Sequence, residues 1–389
     1  MKRGSQLFAL GFRPFYSLAA IFALASVLFW LLSFTGTFYV SGYLHGISWH
    51  SHEMVFGFAI AVMSGFLFTA VRNWTGLPTP TGLALAALAA LWVAARVLIT
   101  TGPALPAALV DAVFVPALAL AVAVPIVKSR NQRNYKIVAL LLLIGITNVI
   151  YHLATLGLVP ARLANTSLIA ALDLITIVFA IVAGRVIPAF TKNAIPESDP
   201  RHANWLEILS FGSLILIIVL RVSADWVSTP VLITTTILFV AAVAHTFRLA
   251  LWQPHLTVRN PLLWMMPVAY SWLPIAFVLR ALAENSLVSQ GAWIHALTMG
   301  AISGLMLAMM MRSALGHTGR PLVASGLDMS AFLVLQLAAI IRVTAGLFAS
   351  SLYPELVIFS GVLWMLAFAI FLWRYLPMLV RPRIDGRPG

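Results

Sequence analysis

The chain has 389 residues, of which 61% are hydrophobic and 9% charged, and its mean hydropathy is +0.99. These values exclude a water-facing globular surface and imply an integral membrane protein. The net charge of +13 does not point to nucleic acid, because the basic residues are scattered through short loops, and the lack of cysteine excludes disulfides, iron–sulfur centres and thiolate copper sites.

Apolar stretches of spanning length fall at about 15–34, 51–71, 83–100, 107–127, 136–157, 166–187, 206–223, 229–251, 262–282, 293–311, 329–348 and 355–377. The fold expected is therefore all-α and polytopic, with twelve transmembrane helices in a single domain over 1–389. No small-residue cleavage signal follows the first stretch, which reads as a retained helix and not a signal peptide. An even number of spans puts both termini on one side. Of the 24 Lys and Arg residues, 19 fall on that side and five (Arg96, Arg162, Arg221, Arg280 and Arg342) on the other. Over loops this short, the imbalance predicts cytoplasmic termini. The longest loops, near 188–205 and 312–328, are too short to fold separately, so chemistry is expected between helices or at their ends. Close-set small residues, such as Gly57, Ala61 and Gly65 in the second span and Gly300 and Gly304 in the tenth, permit close helix or cofactor approach.

Five of the nine histidines, His45, His50, His52, His152 and His295, are expected toward the outer face. The second span opens WHSHEMVFGF. Helical spacing there puts His50, Glu53 and Met54 on one side and His52 roughly opposite. The spacing H-x-x-x-M recurs at His295 and Met299 in the tenth span, at matching depth. His152 lies one turn short of the outer end of the fifth span, beside Tyr151 and one turn after Asn148. His45 falls in the first outer loop. Imidazole and thioether suit haem iron or reduced copper. Polar groups within a membrane usually face the bundle interior and mark function, whereas an interfacial or interhelical role explains any one histidine taken alone. His202, His245 and His255 read as inner-side residues, while His317 differs in being framed by glycines in LGHTGR.

At the inner ends of the spans, GFRPF, AVRNWTG, AGRVIPAF and MRSALGHTGR place Arg13, Arg72, Arg185, Arg312 and Arg320, whose guanidinium forks suit an anion such as the propionates of haem. The positive-inside rule is the competing explanation for each. Glu53, Asp111, Asp173 and Asp328 are carboxylates within or at the ends of spans, where they are costly. Glu53 suits a hydrogen bond to a ligating imidazole or proton transfer, and with Tyr151 forms the catalytic pair of candidates. Asp173 suits a deeper relay or an interhelical partner.

The segments GFRPF, WHSHEMVFGFAIAVMSGFLFTAVRNWTG, GRVIPAFTKN, PLLWMMPVAYSW and HALTMGAISGLMLAMMMRSALGHTGR together resemble the NnrS family of bacterial inner-membrane proteins linked to nitric oxide stress. The resemblance implies twelve spans, haem b, copper as a further metal, and protection against nitrosative stress. Carried onto this chain, it implies that His50, His52, Glu53, His295 and His317, with Arg13, Arg72, Arg185, Arg312 and Arg320, occupy characteristic positions. The metal-ligand set expected is His50, His52, His152, His295 and His317, with Met54 and Met299 beside the cofactor. Pro267 is a departure, standing where many relatives have histidine, so a metal ligand is lost, replaced by another, or was never there.

Two functions remain open. One is a haem protein that binds and removes nitric oxide, by reduction with electrons from quinol. The other is a transporter or metal-handling protein that protects without turning nitric oxide over. The partners expected are nitric oxide, quinol and membrane lipid, with no nucleic acid, in a monomer or homodimer.

Overall fold

The computed structural model describes residues 6–386 except 225, 349 and 350. Lys2, Arg3 and Arg387, which belong to the basic count above, lie outside the described residues. Among those described, twelve helices are long and apolar enough to cross a membrane. They are α1 (Phe12–Phe34), α2 (Gly46–Thr75), α3 (Gly82–Thr101), α4 (Ala104–Lys128), α5 (Gln132–Thr155), α6 (Arg162–Ala194), α7 (Asn204–Ser223), α8 (Val231–Leu251), α9 (Pro261–Glu284), α10 (Gln290–His317), α11 (Gly326–Leu347) and α12 (Tyr353–Val380). All coincide with the runs read from hydropathy. A helix satisfies its backbone polar groups internally, and that requirement selects it at this composition. Proline is accepted within α4 (Pro116, Pro125) and α9 (Pro267, Pro274).

The chain packs as two compact units. Unit 1 comprises residues 1–175, 313–321 and 368–389, and unit 2 comprises 176–312 and 322–367. In unit 1, α2 packs on α1, α3 and α4, and α4 packs on α3 and α5. Of the spans lying wholly in unit 1, α2 is the most enclosed: 89% of its most apolar window is buried, against 44% or less for α1, α3, α4 and α5. Its polar residues must therefore be paired inside the protein. In unit 2, α8 packs on α7 and α9, and α10 on α9 and α11.

Two spans depart from α-helical geometry. Glu53–Ala59 of α2 and Ala296–Ser303 of α10 are wound as π-helix, starting just after His52 and His295 respectively, and each contains the methionine of an H-x-x-x-M pair, Met54 and Met299. Such widened turns are frequent at functional sites, because they shift the face on which following side chains emerge. Asp328 has a local explanation, closing a capping box at the start of α11. Ser325 N–H donates to its carboxylate at 2.6 Å, and the Asp328 N–H donates to Ser325 Oγ at 3.4 Å.

Candidate metal centre

Four helices of unit 1 converge their polar side chains near the end of the bundle where α3 stops and α4 begins. α2 supplies His52 and Glu53, α3 Arg96, α4 Asp111, and α5 Asn148 and His152, all of them buried. Gly57 makes room for the arginine: a Cβ there would stand 3.0 Å from Arg96 Nη1 and 2.8 Å from Phe22. One π-turn residue is thus glycine because a cation crosses it.

The Glu53 and Asp111 carboxylates are bridged by Arg96. Arg96 Nη1 donates to Glu53 Oε1 at 2.5 Å, and Nη2 forms an ion pair with Asp111 Oδ1. The same Glu53 oxygen lies 3.0 Å from His52 Nδ1. Asp111 Oδ2 is a second meeting point, accepting from Asn148 Nδ2 at 2.8 Å and lying 2.9 Å from His152 Nε2 and 3.2 Å from His52 Nε2. At the periphery, the Tyr43 hydroxyl stands 3.4 Å from His152 Nδ1, and Tyr151 packs its ring 5.0 Å from that of His52 while donating to the Ser48 carbonyl at 3.2 Å. Tyr43 lies in the loop between α1 and α2, where burial pushes its phenol above the ordinary value, so it is protonated at neutral pH.

Donor and acceptor bookkeeping shows what this arrangement lacks. Asn148 spends its amide N–H on Asp111, so it turns its carbonyl oxygen toward His52 Nε2, at 3.2 Å. His52 Nε2 therefore faces two acceptors, Asn148 Oδ1 and Asp111 Oδ2, while Nδ1 faces a third, Glu53 Oε1. A neutral imidazole has a single N–H to offer. With both histidines neutral, the formal charges of Glu53, Asp111 and Arg96 leave one negative charge uncompensated in a buried site, which is costly. One more positive species completes the cluster.

His52 Nε2, His152 Nε2 and Asp111 Oδ2 suit a metal ion in that role. Each residue offers one ligand atom, and the three atoms lie within 4.8 Å of one another. Ligands about 2.0–2.2 Å from a tetrahedral ion stand roughly 3.4 Å apart, close to the observed 3.2 and 2.9 Å. Glu53 on His52 Nδ1 is the outer partner that fixes a ligating imidazole in the required tautomer. A haem held by both rings does not suit this pair, because each Nε2 is within hydrogen-bond distance of Asp111 Oδ2.

Of the residues expected from sequence, the structure brings together His52, His152, Glu53 and Tyr151. His50 is directed elsewhere: its ring stacks on Trp30 at 4.5 Å and 19°. Glu53 hydrogen-bonds its neighbour His52, contrary to the helical-wheel expectation that they face apart, and the π-turn beginning at Glu53 accounts for the shift. Met54 Sδ accepts from Ser26 Oγ at 3.8 Å, and His45 is exposed at the N-cap of α2.

His317 also belongs to unit 1, its ring 5.6 Å from Phe12. His295 and Met299 belong to unit 2, where His295 Nδ1 donates to the Gly291 carbonyl of its own helix at 2.7 Å. The five arginines divide as well. Arg13, Arg72 and Arg320 lie in unit 1, while Arg185 and Arg312 lie in unit 2, with the Arg312 guanidinium 4.1 Å over the Phe190 ring.

The family model for NnrS protein matches residues 6–383. The chain belongs to the NnrS family. No curated protein matches its sequence. NnrS membership implies a role in the response to nitrosative stress. Sequence reasoning on this NnrS chain missed Asp111 and Arg96 as site residues. The signal was present: an arginine five residues before the end of α3 and an aspartate seven residues after the start of α4 are opposite charges at equal depth.

Proposed function

We propose that this NnrS protein is a metal-dependent, multi-pass protein of the bacterial inner membrane that binds and removes nitric oxide, and that His52, Asp111 and His152 hold its metal. The observation that carries the proposal is the facing of His52 Nε2 and His152 Nε2 onto one oxygen of Asp111 in a buried site short of one positive charge. Two imidazoles and one carboxylate suit copper, and a monovalent copper ion balances the formal charge. Three protein ligands leave an open position, and a copper ion bound there supplies a site for a diatomic ligand and for one-electron chemistry.

The surrounding residues prepare that position. Arg96 holds both carboxylates in place, Glu53 orients His52, and Asn148 fixes which Asp111 oxygen faces the imidazoles. Tyr43, with its hydroxyl 3.4 Å from His152 Nδ1, would accept the N–H that a ligating His152 carries there and so fix its tautomer. Electrons from the quinol pool complete the reductive form of this reading, which makes the protein an oxidoreductase.

The deciding experiment is metal analysis of the purified protein, with electron paramagnetic resonance of the oxidised, divalent copper form before and after nitric oxide. About one copper per chain, with nitrogen hyperfine structure lost in His52→Gln and His152→Gln, is the expected result. Wild-type metal content in both variants would sink the proposal.

A further inference from the structure

At the opposite end of unit 1, six arginines gather around the His317 loop. His317 lies within electrostatic reach of Arg13, Arg72 and Arg383, Arg13 within reach of Arg320 and Arg383, and Arg320 within reach of Arg374 and Arg381. The chain folds back to make this cluster. After α12, the Ile384 N–H donates to the Thr318 carbonyl at 3.3 Å and Arg383 Nη1 to the His317 carbonyl at 3.1 Å, so residues 381–386 lie against residues 317–320.

Unit 1 contains four carboxylates in its sequence range, Glu53, Asp111, Asp173 and Asp385. The first two are in the metal centre, Asp173 lies within α6, and Asp385 is engaged by Arg383 through two hydrogen bonds of 2.9 and 2.6 Å. Positive charge at this end is therefore in large excess. Partial burial, then the Arg381 and Arg374 charges, hold the Arg320 guanidinium below its ordinary value.

The positive-inside rule explains basic residues in loops, but not the state of Arg13. That residue is 0% exposed. Its Nη1 donates to the Leu379 and Arg381 carbonyls, both at 2.7 Å, completing the end of α12, while Nε and Nη2 are buried with no hydrogen-bond partner among the described residues. Burying a guanidinium with two unsatisfied donor atoms among like charges is expensive unless an anion offsets it. Arg72 and Arg381 are exposed and Arg320 and Arg374 half-buried, so the cluster opens to the surface at the ends of α2, α10 and α12.

We propose that this cluster is an oxyanion site for a phosphate group, the phosphodiester head group of an anionic membrane lipid. Arg320 and Arg381 supply the accessible guanidinium forks, and buried Arg13 supplies fixed positive charge behind them. Basic clusters at span ends recognise anionic head groups in this way. The proposal stands independently of the metal centre.

The test uses delipidated full-length protein in neutral detergent, with lipid retention read by native mass spectrometry against phosphatidylglycerol and phosphatidylcholine. Wild type is expected to retain phosphatidylglycerol in preference. The Arg320→Gln/Arg381→Gln pair is expected to lose about thirty-fold in that preference, and Arg201→Gln, at an exposed arginine in unit 2, to keep it. Using two surface arginines avoids the folding risk of replacing Arg13, and the thermal midpoint of the pair checks that it folds. Added millimolar inorganic phosphate separates the sources: unchanged lipid retention supports the head group, while displacement of the lipid assigns the same site to free phosphate and overturns the lipid assignment. Equal retention of both lipids by wild type, or the same loss in Arg201→Gln, overturns the site altogether.

Discussion

His52 and His152 enter from different helices and turn their Nε2 atoms to the same Asp111 oxygen, at 3.2 and 2.9 Å, with ring centroids 5.1 Å apart. Neither imidazole alone defines a site, and the shared carboxylate does. Asp111→Asn keeps the shape and removes the charge. It is expected to lower metal affinity by more than about 100-fold, the upper end of what outer-shell changes cost. It also leaves Arg96 balanced by Glu53 alone, so the metal-free protein is expected to lose less than the ~3–5 kcal/mol that a stranded buried charge costs. Metal retention after dialysis and the thermal midpoint measure the two effects separately.

Glu53 touches His52 Nδ1 and Arg96 but lies outside the ligand triad. Glu53→Gln keeps the acceptor oxygen the two share and removes its charge. A loss of metal affinity of about 10–100-fold is expected, with the ligand set unchanged in the paramagnetic spectrum. A spectrum that lost a nitrogen coupling would assign Glu53 a different part.

The adjacent histidines of the HSH sequence separate by the same logic. His50 stacks on Trp30, whereas His52 lies in the cluster. His50→Phe preserves an aromatic surface against Trp30 and is expected to keep the metal. His52→Phe is expected to lose it. The reverse result, by metal content, would move the centre to the other side of α2.

Much of the architecture was legible in the sequence, because hydropathy and backbone satisfaction act on each span alone: all twelve helices follow from their own residues. His52, Glu53, Tyr151 and His152 were legible as costly or polar groups at one depth. What pairs them was not. Whether α2 meets α5 depends on packing between helices, and the π-turn at Glu53–Ala59 shifts a face that ideal spacing puts elsewhere. Asp111 was visible as an expensive carboxylate and Arg96 as an outer-side cation. Their union across α3 and α4 is a tertiary fact.

Gly57 tests the packing behind the centre. A methyl group there meets Phe22 at 2.8 Å and Arg96 Nη1 at 3.0 Å; Phe22 is only half-buried, whereas Arg96 is held between Glu53 and Asp111. Gly57→Ala is expected to cost about 1–3 kcal/mol through overpacking and to weaken metal retention by displacing Arg96. Thermal unfolding and metal content read both effects. A variant with wild-type values in each would show that the arginine does not need the glycine.

Unit 2 carries a polar network of its own that sequence reading passed over. Arg248 grips Glu207 through two hydrogen bonds of 2.7 and 2.8 Å, donates to the Ala180 carbonyl at 2.9 Å, and donates to the Tyr270 hydroxyl at 2.9 Å. That hydroxyl also lies 2.7 Å from His245 Nδ1, and the Tyr270 ring stacks on Phe179 at 5.6 Å and 9°. Removing the oxygen leaves the ring packed but takes a partner from both His245 and Arg248. Arg248 retains Glu207 and Ala180, whereas His245 loses the bond at Nδ1, and its Nε2 has no partner among the described residues. Tyr270→Phe is therefore expected to destabilise by about 1–3 kcal/mol, the range for stranding a buried polar group. His245→Phe in the same background should recover part of the loss, because removing both partners of a buried bond is milder than removing one. A double variant less stable than Tyr270→Phe, by thermal midpoint, would show that His245 contributes through some other contact.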